Sequence, residues 1–349
     1  MLDILSPGAF AALIGCAGGI GLGLAARLGR FCSMGAIEDA LYQGSYIRAR
    51  QWGVAIGVAI IGVFTLIGLF DFDPTQSHFL ALQWSPAASV LGGLMFGYGM
   101  ALAGNCGFGA LARLGGGDLR NFVIVIVMGL FSYMTLNGPL AELRVALFPP
   151  EPAQNPAGIA HWLNGYRLPL VPVGLSIGLA ILTLALSSKS FLSERKAILW
   201  GSVVGLVIIS GWAGTAWLSN LTFEAEGIVS HSFAAPIGDA MFFLMMSSAT
   251  SPNFGIGSVA GVLIGAAAGS LIKGHFKWEA CDDPRELKRQ IGGAALMGIG
   301  AVLAFGCTIG QGISAMSVLA FSAPITMAAI IAGAALGLRQ LIYGFSPVK

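Results

Sequence analysis

Three cysteines of the 349-residue chain lie in short glycine-rich segments: Cys32 in RFCSMGA, Cys106 in AGNCGFG and Cys307 in FGCTIGQG. A neutral thiol is a weak, polarizable hydrogen-bond donor, whereas a thiolate is a nucleophile or a metal ligand. The five cysteines are an odd number, and their spacing forms neither a disulfide framework nor a C-x2-C metal pattern. The four histidines also lack ligand spacing. We therefore expect no metal site and no cofactor.

Two of these segments are copies of one another. Residues 97–109, GYGMALAGNCGFG, align without gaps with residues 298–310, GIGAVLAFGCTIG, and share the pattern GxGxxLAxxCxxG at an offset of 201 residues. Six of the thirteen positions are identical. A weaker similarity, with a two-residue slip, pairs Phe31-Cys32 with Phe233-Ala234 and Asp39 with Asp239. The chain therefore contains an internal repeat.

The composition is that of a membrane protein. Apolar residues make up 56% of the chain and charged residues 10%, whereas an average soluble domain has about 25% charged residues. The mean hydropathy is +0.82. Long apolar runs exclude disorder, and 51 glycines without a G-X-Y period exclude collagen. A net charge of +2 gives no indication of a nucleic-acid partner, and we expect lipid as the surrounding partner.

Apolar segments predict nine membrane crossings in an all-α fold. They lie near residues 6–27, 52–70, 86–112, 121–140, 170–188, 197–218, 254–272, 291–320 and 324–343. Basic loops alternate with loops that hold most of the acidic residues, so the positive-inside rule places the N-terminus outside and the C-terminus inside. The two copies then begin on opposite sides, which predicts an inverted repeat, common in transporters. We expect a single membrane domain over 1–349, with halves 1–140 and 197–349 and a connecting segment 141–196.

Glycines interrupt the apolar helices around each of the three cysteines. A helical glycine costs about 1 kcal/mol relative to alanine, and broken backbone at membrane depth is tolerated only beside protein or an aqueous cavity. The pattern predicts short half-helices whose N-termini face a shared cavity, where they attract anions. The alternative is that the glycines only allow close helix contact. The duplicated cysteine inside the duplicated break favours a functional centre.

Together, the three segments resemble the cysteine motifs of the YeeE/YedE sulfur-transport family, in the same order and over essentially the full length. The resemblance implies a multi-pass permease for thiosulfate in the bacterial inner membrane, with pseudo-symmetric halves, an hourglass shape and short helices that reach inward. Cys32, Cys106 and Cys307 would line the path, and a TusA-like cytosolic sulfurtransferase would receive the sulfur. Asn105 and Gln311 depart from the commonest motif, which leaves open the choice among sulfur and selenium anions.

The chemistry of thiosulfate fits these segments. This dianion has hard sulfonate oxygens, which helix N-termini can receive, and a soft terminal sulfur, to which thiols can donate weak S–H bonds. Weak donors also allow release. The residues that could support the path are Arg30, Asn105, Gly107, Gly109, Gly306, Thr308, Gly310 and Gln311.

Two other functions compete with a permease. A membrane sulfurtransferase would form a persulfide on an activated cysteine, but only Cys32 has an arginine close in sequence. A structural membrane subunit would need no cavity. We therefore expect a transporter and not an enzyme. Cys281, in the largest basic loop, is either a bystander or a docking thiol for a sulfur carrier, and Cys16 is a packing residue.

Overall fold

The computed structural model describes residues 6–70, 72–221, 227–279 and 283–344, and within these ranges it contains helices and no β-strand. Cys281 lies outside the described residues. The α-helices are α1 (Pro7–Leu28), α2 (Ser33–Glu38), α3 (Ile47–Phe70), α4 (His78–Ala81), α5 (Pro86–Ala103), α6 (Gly107–Gly115), α7 (Arg120–Leu136), α8 (Ala141–Leu147), α9 (Ile159–Asn164), α10 (Leu170–Leu186), α11 (Lys189–Ser193), α12 (Arg195–Leu221), α13 (Ala235–Met245), α14 (Phe254–Ile272), α15 (Pro284–Leu303) and α16 (Ser322–Tyr343). Asp39–Gln43 and Gly310–Ala315 are π-helical, and Pro74–Gln76 is a 3-10 turn.

The described helices include six stretches that are long and apolar enough to cross a membrane. The number becomes seven if α7 and α8, which are bent by 58°, form one span. Helices α10 and α13 are shorter apolar helices, and α15 begins with the charged residues of its first two turns. The prediction of an all-α, polytopic membrane protein is confirmed. The number of nine crossings stays a prediction.

Helices α1 and α14 run parallel with their backbones in contact. A Cβ atom on Gly15, Gly19 or Gly23 of α1 would overlap a backbone carbonyl oxygen of α14. The reverse holds for three glycines of α14, which face carbonyl oxygens of α1: Gly257, Gly261 and Gly265. Glycines four residues apart form one face of a helix, and this small-xxx-small arrangement lets two helices approach closely. At this interface the glycines therefore serve packing.

The long helices pack in matching pairs. Helix α1 packs on α14 as α12 packs on α3, and α5 packs on α16 as α15 packs on α7. Helix α1 also contacts α12, and α5 contacts α15. If α1 is exchanged with α12, α3 with α14, α5 with α15 and α7 with α16, this set of contacts is unchanged. Helix α10, from the segment between the two groups, packs on α3.

Helices α5 and α15 run antiparallel through the centre of the protein. Gly92 faces Gly300, and Gly99 faces Gly293, so residue numbers rise along one helix as they fall along the other. The two helices therefore approach their C-terminal ends in opposite directions. The segments that contain the duplicated cysteines follow these two C-terminal ends. The chain therefore enters the two copies from opposite sides.

Candidate functional site

Each of the three cysteines in the glycine-rich segments lies at the start of a short helix and accepts a hydrogen bond from a backbone N–H. The donor is the glycine three residues later, which is the geometry of an N-cap side chain. The N–H···Sγ distances are 3.4 Å from Gly35 to Cys32, 3.3 Å from Gly109 to Cys106 and 3.5 Å from Gly310 to Cys307. The three thiol-capped helix starts thus share the spacing Cys-x-x-Gly, although Cys16 and Gly19 have the same spacing inside the continuous helix α1.

The backbone turns sharply just before each cysteine. The residue two positions earlier is left-handed in all three segments: φ is 53° at Arg30, 78° at Gly104 and 55° at Phe305. A left-handed residue other than glycine costs roughly 1–2 kcal/mol. The strain at Arg30 and Phe305 is the kind that concentrates at functional sites. Each segment therefore consists of a helix end, a left-handed residue, a capping cysteine and a new helix.

The starts of the short helices meet in the centre of the protein. The hydroxyl of Ser33 in α2 donates to Oγ1 of Thr308 at 3.4 Å. Thr308 begins the helical segment 308–317, which includes the π-helical residues. Cys307 Sγ also accepts a hydrogen bond from the backbone N–H of Phe233 at 3.3 Å. The ring of Phe233 packs on Phe108 of α6 with a centroid distance of 5.3 Å. These contacts join the three thiol-capped helices through buried side chains.

Two cavities approach this layer from opposite ends. The first, here called the basic cavity, has a volume of about 540 Å³ and reaches Cys32, Asn105 and the turn after α5. The second, here called the Ser232 cavity, has a volume of about 370 Å³ and reaches Ser232 and the turn after α15. Ser232 Oγ is 4.0 Å from Cys307 Sγ. Cys106 and Cys307 are fully buried and are not among the described lining residues of either cavity, so both cavities end at a closed layer in an hourglass-like arrangement.

The two cavities differ in charge. Five basic side chains line the basic cavity, with Glu38 as the acidic side chain among the described lining residues. They are Arg27, Arg30, Arg48, Arg113 and Lys273. The Ser232 cavity has Arg144 and Asp239 among its lining residues. The basic cavity therefore favours anions more strongly than the Ser232 cavity does.

The two amides beside the duplicated cysteines have different environments. Asn105 lines the basic cavity, and its Nδ2 donates to Asn121 Oδ1 at 2.9 Å. Its own Oδ1 is buried without a hydrogen-bond partner among the described residues. Gln311 instead donates to the carbonyl of Ala304 at 2.7 Å and accepts from Ser322 Oγ at 3.1 Å. Gln311 thus holds the turn after α15.

The other predicted residues lie around the same layer. Arg30 lines the basic cavity and Gly306 lines the Ser232 cavity. Gly107 lies against Met128 and the carbonyl of Phe233. Sequence reasoning missed Ser33, Ser232 and the backbone of Phe233. Ser33 could have been found from the sequence, because a residue with a hydroxyl group follows both the first and the last cysteine of the three. The weak similarity that begins at Phe233 pointed to the loop that contains Ser232 and Phe233.

A sequence family described as "Sulphur transport" matches residues 28–336, which include all three cysteine segments. The chain belongs to this sulphur transport family. A relative named Thiosulfate transporter TsuA, from Escherichia coli, is 28% identical over 332 residues, which cover 89% of each chain. One of the same name from Spirochaeta thermophila is 25% identical over 313 residues, covering 86% of this chain and 90% of the relative. The Escherichia coli protein named Probable transporter YedE matches only 95 residues, at 30% identity, which cover 27% of this chain and 22% of YedE.

These comparisons confirm the resemblance to the YeeE/YedE family. The family description and the relatives' names indicate transport. Together with the long apolar helices, they make the chain a multi-pass membrane protein of sulphur transport.

Proposed function

We propose that this protein imports thiosulfate across a bacterial inner membrane along a path lined by Cys32, Cys106 and Cys307. The observation that carries the proposal is the layer of three thiol-capped helix starts between two cavities. The family and the relatives named thiosulfate transporters support the same substrate. The fully buried Cys106 lies where the path is closed.

The geometry suits an anion with one soft end. A bare dianion is strongly disfavoured in hydrocarbon, so polar groups along the path must replace its water. The three helix starts supply backbone N–H groups for the oxygens. Each thiol sulfur already accepts a hydrogen bond from a glycine N–H, which leaves its S–H proton free to donate to the terminal sulfur. Such donors are weak enough for the anion to move on.

We further propose that residues 1–140 and 197–349 are two halves of an inverted repeat within one transport domain over 1–349, joined by residues 141–196. The matching helix contacts and the antiparallel α5 and α15 support this division. The basic cavity then opens to the cytoplasm, because the basic loops lie on its side. The N-terminus is periplasmic and the C-terminus is cytoplasmic.

Reporter fusions test this orientation. A fusion after Lys189 is expected to be cytoplasmic, and a fusion near Asn155 is expected to be periplasmic. If both reporters were on the same side, the inverted repeat would be wrong, because the two copies would then approach the layer from one side.

Growth and uptake test the substrate. In a bacterium that lacks its own sulfate and thiosulfate importers, the protein is expected to restore growth on thiosulfate as sole sulfur source. Purified protein in liposomes should take up radiolabelled thiosulfate, with Cys16→Ala as the control variant. Growth on sulfate but not on thiosulfate, or no uptake by the purified protein, contradicts the proposed substrate.

We propose that transport involves no covalent step on the protein. A persulfide-forming cysteine must lose its proton to become a nucleophile, and in the described part of the chain none of the three thiols hydrogen-bonds to a histidine or a carboxylate that could take it. Mass spectrometry during turnover is expected to find unmodified Cys106 and Cys307. A stable persulfide there would favour a sulfurtransferase. A TusA-like protein on the cytoplasmic side is the proposed acceptor of the imported sulfur.

A further inference from the structure

Only some of the basic side chains that line the basic cavity have hydrogen-bond or ion-pair partners among the described residues. Arg27 Nε donates to Ser270 Oγ at 2.6 Å. Lys273 Nζ donates to the carbonyl of Arg27 at 2.6 Å, and Arg48 forms an ion pair with Asp39 at 3.2 Å. These three side chains therefore have structural partners, at the ends of α1 and α14 and at Asp39.

Arg30 and Arg113 have no such role. Within the described residues neither side chain forms a hydrogen bond or an ion pair, although both are exposed to the cavity that they line. Glu38 and His275 are the other titratable side chains among its described lining residues, apart from Cys32. Two guanidinium groups without partners among the described residues, beside a cavity with a single carboxylate, are available to an anion in that cavity.

The position of Arg113 connects this charge to the cysteine layer. Arg113 lies in α6, the helix that Cys106 caps, and is seven residues beyond that cysteine. At 1.5 Å per residue it lies about 10 Å along the helix axis from the layer. The cavity reaches inward as far as Cys32 and Asn105, a depth that suits a small anion rather than the surface of a protein. An anion that leaves the layer therefore arrives next to Arg113.

We propose that the basic cavity is a second binding site, selective for divalent sulfur oxyanions such as sulfate and thiosulfate, and that its occupancy inhibits further import. The direction of this effect rests on the proposed function, with the basic cavity on the exit side. Guanidinium groups bind oxyanion oxygens through paired N–H donors. Because five basic side chains and a single thiol are among the described lining residues, charge and contacts to oxygens dominate recognition there, and sulfate, which lacks the soft terminal sulfur, also binds.

Transport in liposomes with a single, verified orientation tests this site. The initial rate of thiosulfate uptake is measured at rising concentrations of internal sulfate, with chloride at equal ionic strength as the salt control. Sulfate is expected to inhibit and chloride is not. Arg113→Gln is expected to raise the half-inhibiting sulfate concentration about ten-fold, which corresponds to the loss of about 1.4 kcal/mol from one charge-assisted contact. Arg30→Gln is the second variant, in case Arg113→Gln does not fold.

Lys288→Gln is the matched control, because it removes one positive charge from the basic loop side without lining the cavity. Its half-inhibiting sulfate concentration is expected to equal that of the wild type. Equal inhibition in wild type and Arg113→Gln overturns the site, as does an equal effect of Lys288→Gln, which would assign the inhibition to surface potential.

A binding measurement separates this inference from the proposed function. Sulfate is expected to raise the thermal unfolding temperature of the detergent-purified wild type, and at the same concentration to raise that of Arg113→Gln less. This readout needs no transport, so it tests the site even if the wild type does not carry thiosulfate. Inhibition only by an acidic protein, with no effect of sulfate on unfolding or uptake, would instead assign the cavity to a protein partner and overturn the proposal.

Discussion

Replacing Cys307 separates the structural role of its sulfur from its role in transport. Cys307 Sγ accepts the N–H of Phe233 at 3.3 Å and that of Gly310 at 3.5 Å, and the residue is fully buried. Alanine leaves both N–H groups without this acceptor. A buried unsatisfied donor costs about 1–3 kcal/mol, and sulfur is a weak acceptor, so Cys307→Ala is expected to lower the free energy of unfolding by about 1–2 kcal/mol.

Serine at the same position keeps the acceptor but changes its chemistry. An N–H···O bond prefers about 2.9 Å, which is shorter than either N–H···Sγ distance in the structure. The hydroxyl oxygen is therefore drawn toward the backbone and away from the path. Cys307→Ser is expected to lower the free energy of unfolding by less than Cys307→Ala does, because an acceptor for the two N–H groups is kept, whereas thiosulfate uptake falls about ten-fold or more from loss of one soft contact.

The assay combines thermal unfolding in detergent with initial rates of radiolabelled thiosulfate uptake. The expected pattern is that alanine reduces both stability and uptake, whereas serine reduces uptake with a smaller loss of stability. Cys16→Ala and Cys16→Ser are the controls, since Cys16 lies within α1 and is not among the described lining residues of either cavity, and we expect both to transport normally. Wild-type uptake by the double variant Cys106→Ser, Cys307→Ser would refute the reasoning, because the two thiols would then only pack and cap.

Three further outcomes follow from single residues. Gly104→Ala is expected to lower the free energy of unfolding by roughly 1–2 kcal/mol through its left-handed φ of 78° alone, because an added Cβ meets no atom within 4 Å; denaturant unfolding measures it, and an unchanged midpoint contradicts it. Ser33→Ala removes the hydroxyl link to Thr308 and is expected to speed passive efflux of preloaded thiosulfate, whereas an unchanged efflux rate means that the link does not hold the layer closed. Burial lowers the pKa of His161 below its ordinary value, so the unfolded chain binds a proton at this residue more readily than the folded protein does. The folded protein is therefore destabilised as the pH falls below about 6.5, the ordinary pKa of histidine, and is unaffected by this residue above it. The unfolding temperature of His161→Gln is expected to depend less on pH over that range, and parallel curves for variant and wild type would exclude this contribution.

The centre of the site could be predicted because its geometry is local. The capping cysteine and the glycine three residues later are close in the chain, so the duplicated sequence around Cys106 and Cys307 forms the same turn and cap twice. The membrane class followed in the same way from long apolar runs, each of which is local.

Long-range contacts could not be predicted. The N–H of Phe233 reaches Cys307 across 74 residues, and a backbone donor has no signature in the residue type. The amide of Gln311 is used by the turn after α15, a choice that depends on the tertiary position of that turn. The number of membrane spans is also difficult to predict from the sequence, because α7 and α8 meet at an angle of 58° and α15 begins with charged residues.

The glycine interface between α1 and α14 restricts how this protein can move. With their backbones in contact, neither helix can rotate or slide along the other without a collision between carbonyl oxygens and main-chain atoms. Gly201 and Gly205 of α12 face carbonyl oxygens of α3 in a similar way. In the proposed repeat these contacts join one half to the other, so rocking of two rigid halves is blocked. We expect the lipid-facing outline to stay constant during turnover, and the transport rate to be insensitive to bilayer thickness.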